Sequence, residues 1–367
     1  MHSIPDITFV GGGVTGLLSA RLFSMAGANV TIVDKNRIGQ ESSWAGGGIL
    51  LPLYPWRQAE AISQLVMPSI AAYPELAQEL IESTGLDPEY IISGLLMTQL
   101  ADLDKAQDWC HRYSVESCPV TAEQLQYFPQ IDDQSLYLPG IAQARNPRLL
   151  KSLKQDLIQR GVKVIENCDI EEISLKHNHV TAIASKSEVL AVNQLVISAG
   201  AWTANLWAQL LGNYTATTQP EIFPVKGQMI IFDAPVNTLD TMVLENDRYL
   251  IPRQDGKILC GSTVESADFD KTTSERARQS LAAFARQLFP ALESAPITHH
   301  WAGLRPGTQQ GIPYIDNHPE INNLAISAGH FRNGFAMGPA SAQLLYEIIT
   351  NQASALDSAP YRLSAKH

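Results

Sequence analysis

Three glycines, Gly11, Gly13 and Gly16, stand in G-x-G-x-x-G spacing between the apolar tetrapeptide ITFV (residues 7–10) and the run LLSARLFSMAG (17–27). A short buried strand, a glycine turn, an amphipathic helix closed by Gly27 and a second strand, NVTIVD, make the βαβ start of a doubly wound sheet. Each glycine has a physical task in such a turn. Gly11 permits the tight bend, Gly13 lets a pyrophosphate approach the backbone, and Gly16 allows close helix packing. Asp34, closing the second strand, is placed to accept ribose hydroxyls, and its charge disfavours a ligand carrying a 2′-phosphate. The helix N-terminus then faces the phosphates.

FAD and NAD share this fingerprint, so the choice between them rests on other segments. After the second strand the chain runs NRIGQESSWAGGGIL (36–50), in which Ser42 and Ser43 offer hydroxyls and Gly46, Gly47 and Gly48 expose bare backbone. An extended cofactor crossing into a second domain needs such a strip. GHFRNGFAMGP (329–339) is a second glycine-bounded turn leading into a helix N-terminus, suited to the negative charge of a reduced flavin ring. Two cradles point to an extended flavin dinucleotide.

At 367 residues the chain exceeds the usual span of one core, so two domains, or one with a long insertion, are expected. Buried-strand patterns recur at the beginning, middle and end, in ITFV, QLVISAGAW and NLAISAG. They predict a discontinuous dinucleotide-binding domain over 1–75, 145–215 and 312–355, with a largely parallel sheet. Segments 76–144 and 216–311 form an α+β substrate domain on a mostly antiparallel sheet, with strands VKGQMIIF, RYLIP, KILCGST and ITHHWAGLR and a helix over SERARQSLAAFARQLF. Helices are also predicted from Glu60 to Thr84, with less regular sequence to about Gly140, over NPRLLKSLKQDLIQRG with Leu149, Leu150, Leu153, Leu157 and Ile158 on one face, and over PASAQLLYEIIT with Pro339 at its first position. The tail after Gln352 is expected to fray.

A net charge of -11, with no run of Lys or Arg, argues against a nucleic-acid surface. No apolar segment is long enough to span a membrane and the N-terminus lacks signal-peptide order, so a cytoplasmic protein, forming a homo-oligomer, is expected. Cys110, Cys118, Cys168 and Cys260 show no metal-binding spacing and read as free thiols; no metal site is expected. Arg305 raises a sharper question, because it sits within WAGLRPGT, a stretch otherwise suited to burial. A guanidinium keeps its charge, so a buried one needs an anion, from the protein or from a ligand. No Asp or Glu lies between Trp301 and Gly311. His299 and His300 read as packing or surface residues, and Trp44, Tyr54 and Trp56 either cap a pocket or fill core.

With these segments in hand, the chain resembles the flavin-dependent glycine oxidase branch of the D-amino acid oxidase family, the amine oxidases associated with making the thiamine thiazole ring. GGGVTG, ESSWAGGGIL, NPRLLKSL, VISAGAW, PVKGQMI, RYLIPR, WAGLRPGT, GIPYI and GHFRNG carry the resemblance, in order, from residue 11 to about 340. It implies FAD lined by the fingerprint glycines and by Val14, Thr15, Asp34, Lys35, Ser42, Ser43, Gly47, Gly48 and Ile49. Ile170 would touch the adenosine end through its backbone. His330, Phe331, Arg332, Asn333, Gly334, Phe335 and Ala336 would wrap the isoalloxazine. Arg305 matches the arginine that receives the substrate carboxylate and Tyr249 a tyrosine that assists it, with Arg332 near the site or serving as an ion-pair partner. Residues 306 to 340 hold no Cys, so the flavin is read as noncovalent. The implied reaction is oxidative deamination of glycine and other small or D-configured amino acids to oxo acid, ammonia and hydrogen peroxide, with no side-chain acid or base assigned. The alternative is a D-amino acid or sarcosine-type dehydrogenase that passes electrons to a quinone or carrier instead of oxygen.

Overall fold

The fold is that of a computed structural model, which describes residues 4–120, 128, 131–132, 134–212 and 219–367. Six strands lie side by side in the order Tyr314–Asn317, Leu324–Ala328, Gln194–Ile197, Ile7–Val10, Val30–Val33 and Lys163–Ile165. All neighbours are parallel except the first pair. The three inner strands from Leu324 to Val10 in that order are buried at every position, because helices cover both faces of a parallel sheet. The helix Val14–Met25 packs between Gly334–Thr350 and Asn146–Gln159.

A second sheet of eight strands includes Phe223–Asp233, Met242–Glu245, Arg248–Pro252, Lys257–Gly261 and Ile297–Gly307, with Leu95–Met97 and Leu136–Leu138 added at one edge. It is antiparallel throughout except where Met242–Glu245 runs parallel to Leu95–Met97. Alternation gives it two faces. Ile230, Phe232, Leu250, Ile258 and Cys260 pack beneath Leu281, Ala282, Ala285 and Leu288 of the helix Glu275–Leu288. Gly227, Met229, Tyr249, Gly303 and Arg305 point the other way, into a cavity shared with the parallel sheet.

Several sequence expectations need correction. The stretch expected to be irregular holds a helix, Leu103–Tyr113, and short strands from Ile91 to Gln143, while residues 121–127, 129–130 and 133 lie outside the described part. Two- and three-residue strands carry too little alternation to be seen locally. Ile158 is 47% exposed. At about 100° per residue it stands on the side of its helix opposite Leu149, which is buried. The last helix begins at Gly334, so Pro339 lies inside it. The Phe335 carbonyl that a proline leaves without a donor accepts from the Tyr73 hydroxyl at 2.7 Å, and the Ala340 amide donates to Ser69 Oγ at 3.0 Å. The helix Glu60–Thr84, which supplies both groups, runs through the segment boundary at 75/76, and the boundary at 215/216 lies outside the described residues. Among the described residues no helix is long and apolar enough to cross a membrane, and all four cysteines are free.

The tail is not frayed. Tyr361 is fully buried and donates its hydroxyl to the Ala61 carbonyl at 2.7 Å, and the Leu363 amide donates to Asp316 Oδ2 at 3.0 Å. The tail thus ties the start of a helix to an edge strand. Tyr361→Ala should cost about 3–5 kcal/mol and Tyr361→Phe about 1 kcal/mol. Denaturant midpoints of the two variants check this; a midpoint unchanged in Tyr361→Ala would mean the tail is not docked.

Candidate active site

Four parallel strands end at one cavity of about 410 Å³. Val10, the last residue of the first strand, and Gly11 line it, with Asp34 and Lys35 after the second, Ser198 to Gly200 after the third, and Ala328, the last residue of the fourth, with Gly329 and His330. Ligands of open α/β sheets bind at these carboxyl ends. The cavity runs from Asp34, Ile170 and Gln209 at one end to Arg305, Tyr249 and Phe331 at the other.

At the first end, Gly11 has φ +114°, and any Cβ there would overlap the Ser198 carbonyl. The helix begins at Gly13 with no side-chain cap, and the Val14 amide donates to Ser43 Oγ at 2.9 Å. The Asp34 carboxylate is fixed by two backbone donors, the Gly12 amide to Oδ2 at 2.7 Å and the Asn36 amide to Oδ1 at 2.8 Å. Burial raises its pKa, and the two amides act against that rise. Lys35 lies over the Trp202 ring at 3.9 Å, and burial lowers its pKa.

The glycine strip is held from behind by Arg253. Its guanidinium is fully buried and donates to the Gly47 carbonyl at 2.7 Å and to Gln143 Oε1 at 2.5 Å, with its Nε–H unpartnered. Burial pushes its pKa down to about 10. Gly48, at φ +80°, leaves no room for a side chain against the Ala144 carbonyl, whose own amide donates to the Gly48 carbonyl at 2.9 Å. Ser42, Ser43, Gly47, Gly48 and Ile49 consequently all line the cavity.

At the other end, Arg305 donates from Nη1 to the Thr263 carbonyl at 3.3 Å and from Nη2 to Ser262 Oγ at 2.6 Å. Both acceptors are neutral, and among the described residues no carboxylate forms an ion pair with it. Burial, with Arg332 nearby, lowers its pKa, while the neighbouring Tyr249 hydroxyl acts in the opposite direction. Tyr249 is buried and its hydroxyl reaches Met229 Sδ at 3.8 Å. Arg332 lies 3.9 Å from the exposed Asp247 carboxylate, a loose pair, and its Nε–H is buried without a partner. His330 is buried with Nε2 unpartnered.

Of the expected cofactor residues, Gly16 and Ala336 do not line the cavity. A Cβ on Gly16 would overlap the Gly11 carbonyl, so that glycine serves helix packing, and Ala336 is buried on the inner side of the last helix. The others, Gly11, Gly13, Val14, Thr15, Asp34, Lys35, Ser42, Ser43, Gly47, Gly48, Ile49, Ile170 and His330 to Phe335, do line it, as do Arg305 and Tyr249. Trp44, Tyr54 and Trp56 stand off the cavity; Trp44 packs edge-on against Trp301, and Trp56 donates to Asp102 at 2.9 Å. His299 is exposed and His300 half-buried. Sequence reasoning missed Arg253, Gly227, Met229 and Ser262. Alternation from Tyr249 places Ile251 and Arg253 on its own face, and that signal was available.

The residues fit a dinucleotide with a flavin. One end offers a carboxylate and a bare helix N-terminus, the middle a glycine strip with exposed backbone, and the far end Arg305, which has no carboxylate partner among the described residues, Arg332 with its loose pair to Asp247, and an orphaned buried His330 Nε2. Comparison with known proteins agrees. The FAD dependent oxidoreductase (DAO) family model matches residues 6–348. The glycine oxidase of Pseudomonas putida is 41% identical over 364 residues, covering 97% of each chain. The bifunctional protein ThiO/ThiG of Synechocystis is 27% identical over 362 residues, 96% of this chain and 52% of that protein. The crystal structure of glycine oxidase from Geobacillus kaustophilus superposes with a TM-score of 0.89 at 28% identity, over 99% of both chains.

Burial keeps the His330 imidazole neutral, its pKa pushed down to about 3. The unfolded chain takes up that proton near the ordinary value of about 6.5, so the contribution is complete above that pH and is lost as pH falls toward 3. Between about pH 6.5 and 5, the unfolding free energy should therefore fall more steeply in the native protein than in His330→Asn, by up to about 1.4 kcal/mol per pH unit. Denaturant titrations at the two pH values measure the difference, and equal slopes would show His330 to be free to ionise.

Proposed function

The chain belongs to the DAO family of FAD-dependent oxidoreductases, and from that premise we propose that it deaminates glycine and other small or D-configured amino acids, with water and oxygen as co-reactants, to the oxo acid and ammonia, the two electrons passing to oxygen to give hydrogen peroxide. We further propose that the glyoxylate-forming reaction serves synthesis of the thiamine thiazole ring, in line with the likeness to the ThiO/ThiG protein. One observation carries the substrate reading. Arg305 opens on the cavity, charged, and the groups that accept from it among the described residues are neutral, the Ser262 hydroxyl and the Thr263 carbonyl, with the Tyr249 hydroxyl beside them. A ligand carboxylate is the anion it lacks.

FAD would be held by the fingerprint, the glycine strip and the turn from His330, and would supply an acceptor for the hydride of the substrate Cα. Every other requirement falls on the chain. Arg305 binds the carboxylate through a planar fork and so fixes the position of Cα, with Tyr249 bordering the same pocket. Met229, Tyr249 and Phe331 enclose that end and limit the side chain it admits. The amine must be neutral before hydride leaves, and solvent takes its proton, because the buried, neutral His330 has a pKa far too low to serve as a base. Water then hydrolyses the imine to oxo acid and ammonia.

Among the described residues removing Arg305 leaves no carboxylate stranded, so Arg305→Ala should keep its flavin and its melting temperature. Its kcat/KM for glycine should fall roughly 30- to 1,000-fold, the loss of a charge-assisted pair. Arg305→Lys should regain only part, since an ammonium lacks the fork. Steady-state kinetics beside thermal melts decide the matter: near-normal turnover in a well-folded, yellow Arg305→Ala protein would place the carboxylate elsewhere.

A further inference from the structure

The guanidinium of Arg305 rests on a residue that has no side chain. In the pairing of Phe223–Asp233 with Ile297–Gly307, Val225 stands opposite Arg305 and Gly227 opposite Gly303. Arg305 leans along its strand across Gly227. A Cβ added to Gly227 would overlap Nη2, Cζ and Nη1 almost equally, which puts the glycine under the flat face of the guanidinium. Two acceptors complete the seat, Ser262 Oγ for Nη2 and the Thr263 carbonyl for Nη1. Floor and acceptors form one piece, because Gln228, next to Gly227, receives the Thr263 amide on its carbonyl at 3.2 Å and donates its own amide to Thr263 Oγ1 at 2.9 Å. Gln228 is fully buried.

We propose that Gly227 is a positioning residue for the substrate carboxylate: its missing side chain sets the depth and plane at which Arg305 presents its fork. The inference rests on the reading of Arg305 as the carboxylate anchor. Gly227 lies within a strand and needs no left-handed backbone, so alanine is acceptable to the main chain. The three nearest atoms to the added methyl all belong to the far end of one flexible side chain, Arg305. The strand therefore stays and the guanidinium moves. Both guanidinium hydrogen bonds in the seat are then strained or lost, and the fork enters the cavity at another angle.

The test uses the FAD-loaded enzyme and sodium acetate, an amine-free monocarboxylate, titrated against the flavin absorbance. Gly227→Ala should raise the acetate Kd about 10- to 100-fold and lower kcat/KM for glycine by a similar factor, with FAD content and melting temperature unchanged. Ser262→Ala, which keeps the floor and removes one acceptor, should show a smaller effect, about 3- to 10-fold. A Gly227→Ala enzyme that binds acetate within about twofold of the wild type overturns the proposal, as does one that loses flavin or stability, since the methyl would then be displacing something other than Arg305. If the wild type binds acetate and Gly227→Ala does not, but neither oxidises glycine, the positioning role holds and the oxidase reading fails. A wild type that binds no acetate removes the anchor and the proposal with it.

Discussion

A guanidinium in a water-poor site, with no carboxylate paired to it among the described residues, is the constraint around which the rest of the molecule is arranged. Desolvating Arg305 is costly, and two neutral acceptors offset only part of that cost. An internal Asp or Glu would have relieved it and blocked the site. Glu265, a carboxylate whose charge reaches Arg305, is instead engaged by the Gln228 side-chain amide at 2.8 Å and by the Thr263 hydroxyl. The charge is left for a ligand whose carboxylate completes the pair, which makes the same interaction a source of affinity and of orientation.

The two sheets serve that arrangement differently. The parallel sheet gathers strand ends so that backbone, a helix N-terminus and Asp34 meet a long anionic cofactor. The antiparallel sheet supplies a flat face on which side chains alternate, with one set packed under the helix Glu275–Leu288 and the other facing the cavity. Arg253 joins the two, bonding from the second sheet to the glycine strip and to Gln143. It stands as a buried cation at the far side of the strip, clamped by carbonyls and an amide oxygen.

Where a signal was local, the sequence carried it. The glycine fingerprint, the buried strands and the long helices depend on spacing within a dozen or so residues, and they lie where spacing places them apart from the start of the last helix, which is Gly334 and not Pro339. Arg305 stood out because an arginine in an apolar frame is physically awkward. What stayed hidden depends on pairing across the chain. Leu95–Met97 joins the sheet through Met242–Glu245 on one side and Leu136–Leu138 on the other, and nothing in three residues announces that. The tail is polar enough to look loose, yet Tyr361 finds a buried slot against Ala61. Gly227 reads as an ordinary strand residue until the register with Ile297–Gly307 brings Arg305 over it.

The central claim is that a substrate carboxylate is the anion Arg305 lacks, and that it holds Cα for hydride transfer to FAD. Anaerobic mixing of the holoenzyme with glycine and, separately, with glycinamide tests it most directly, because the amide keeps the shape and removes the charge. Rapid loss of the oxidised flavin absorbance is predicted with glycine, and a rate lower by at least about 30-fold at matched concentration with glycinamide. Equal bleaching by the two, or none by glycine, would contradict the account.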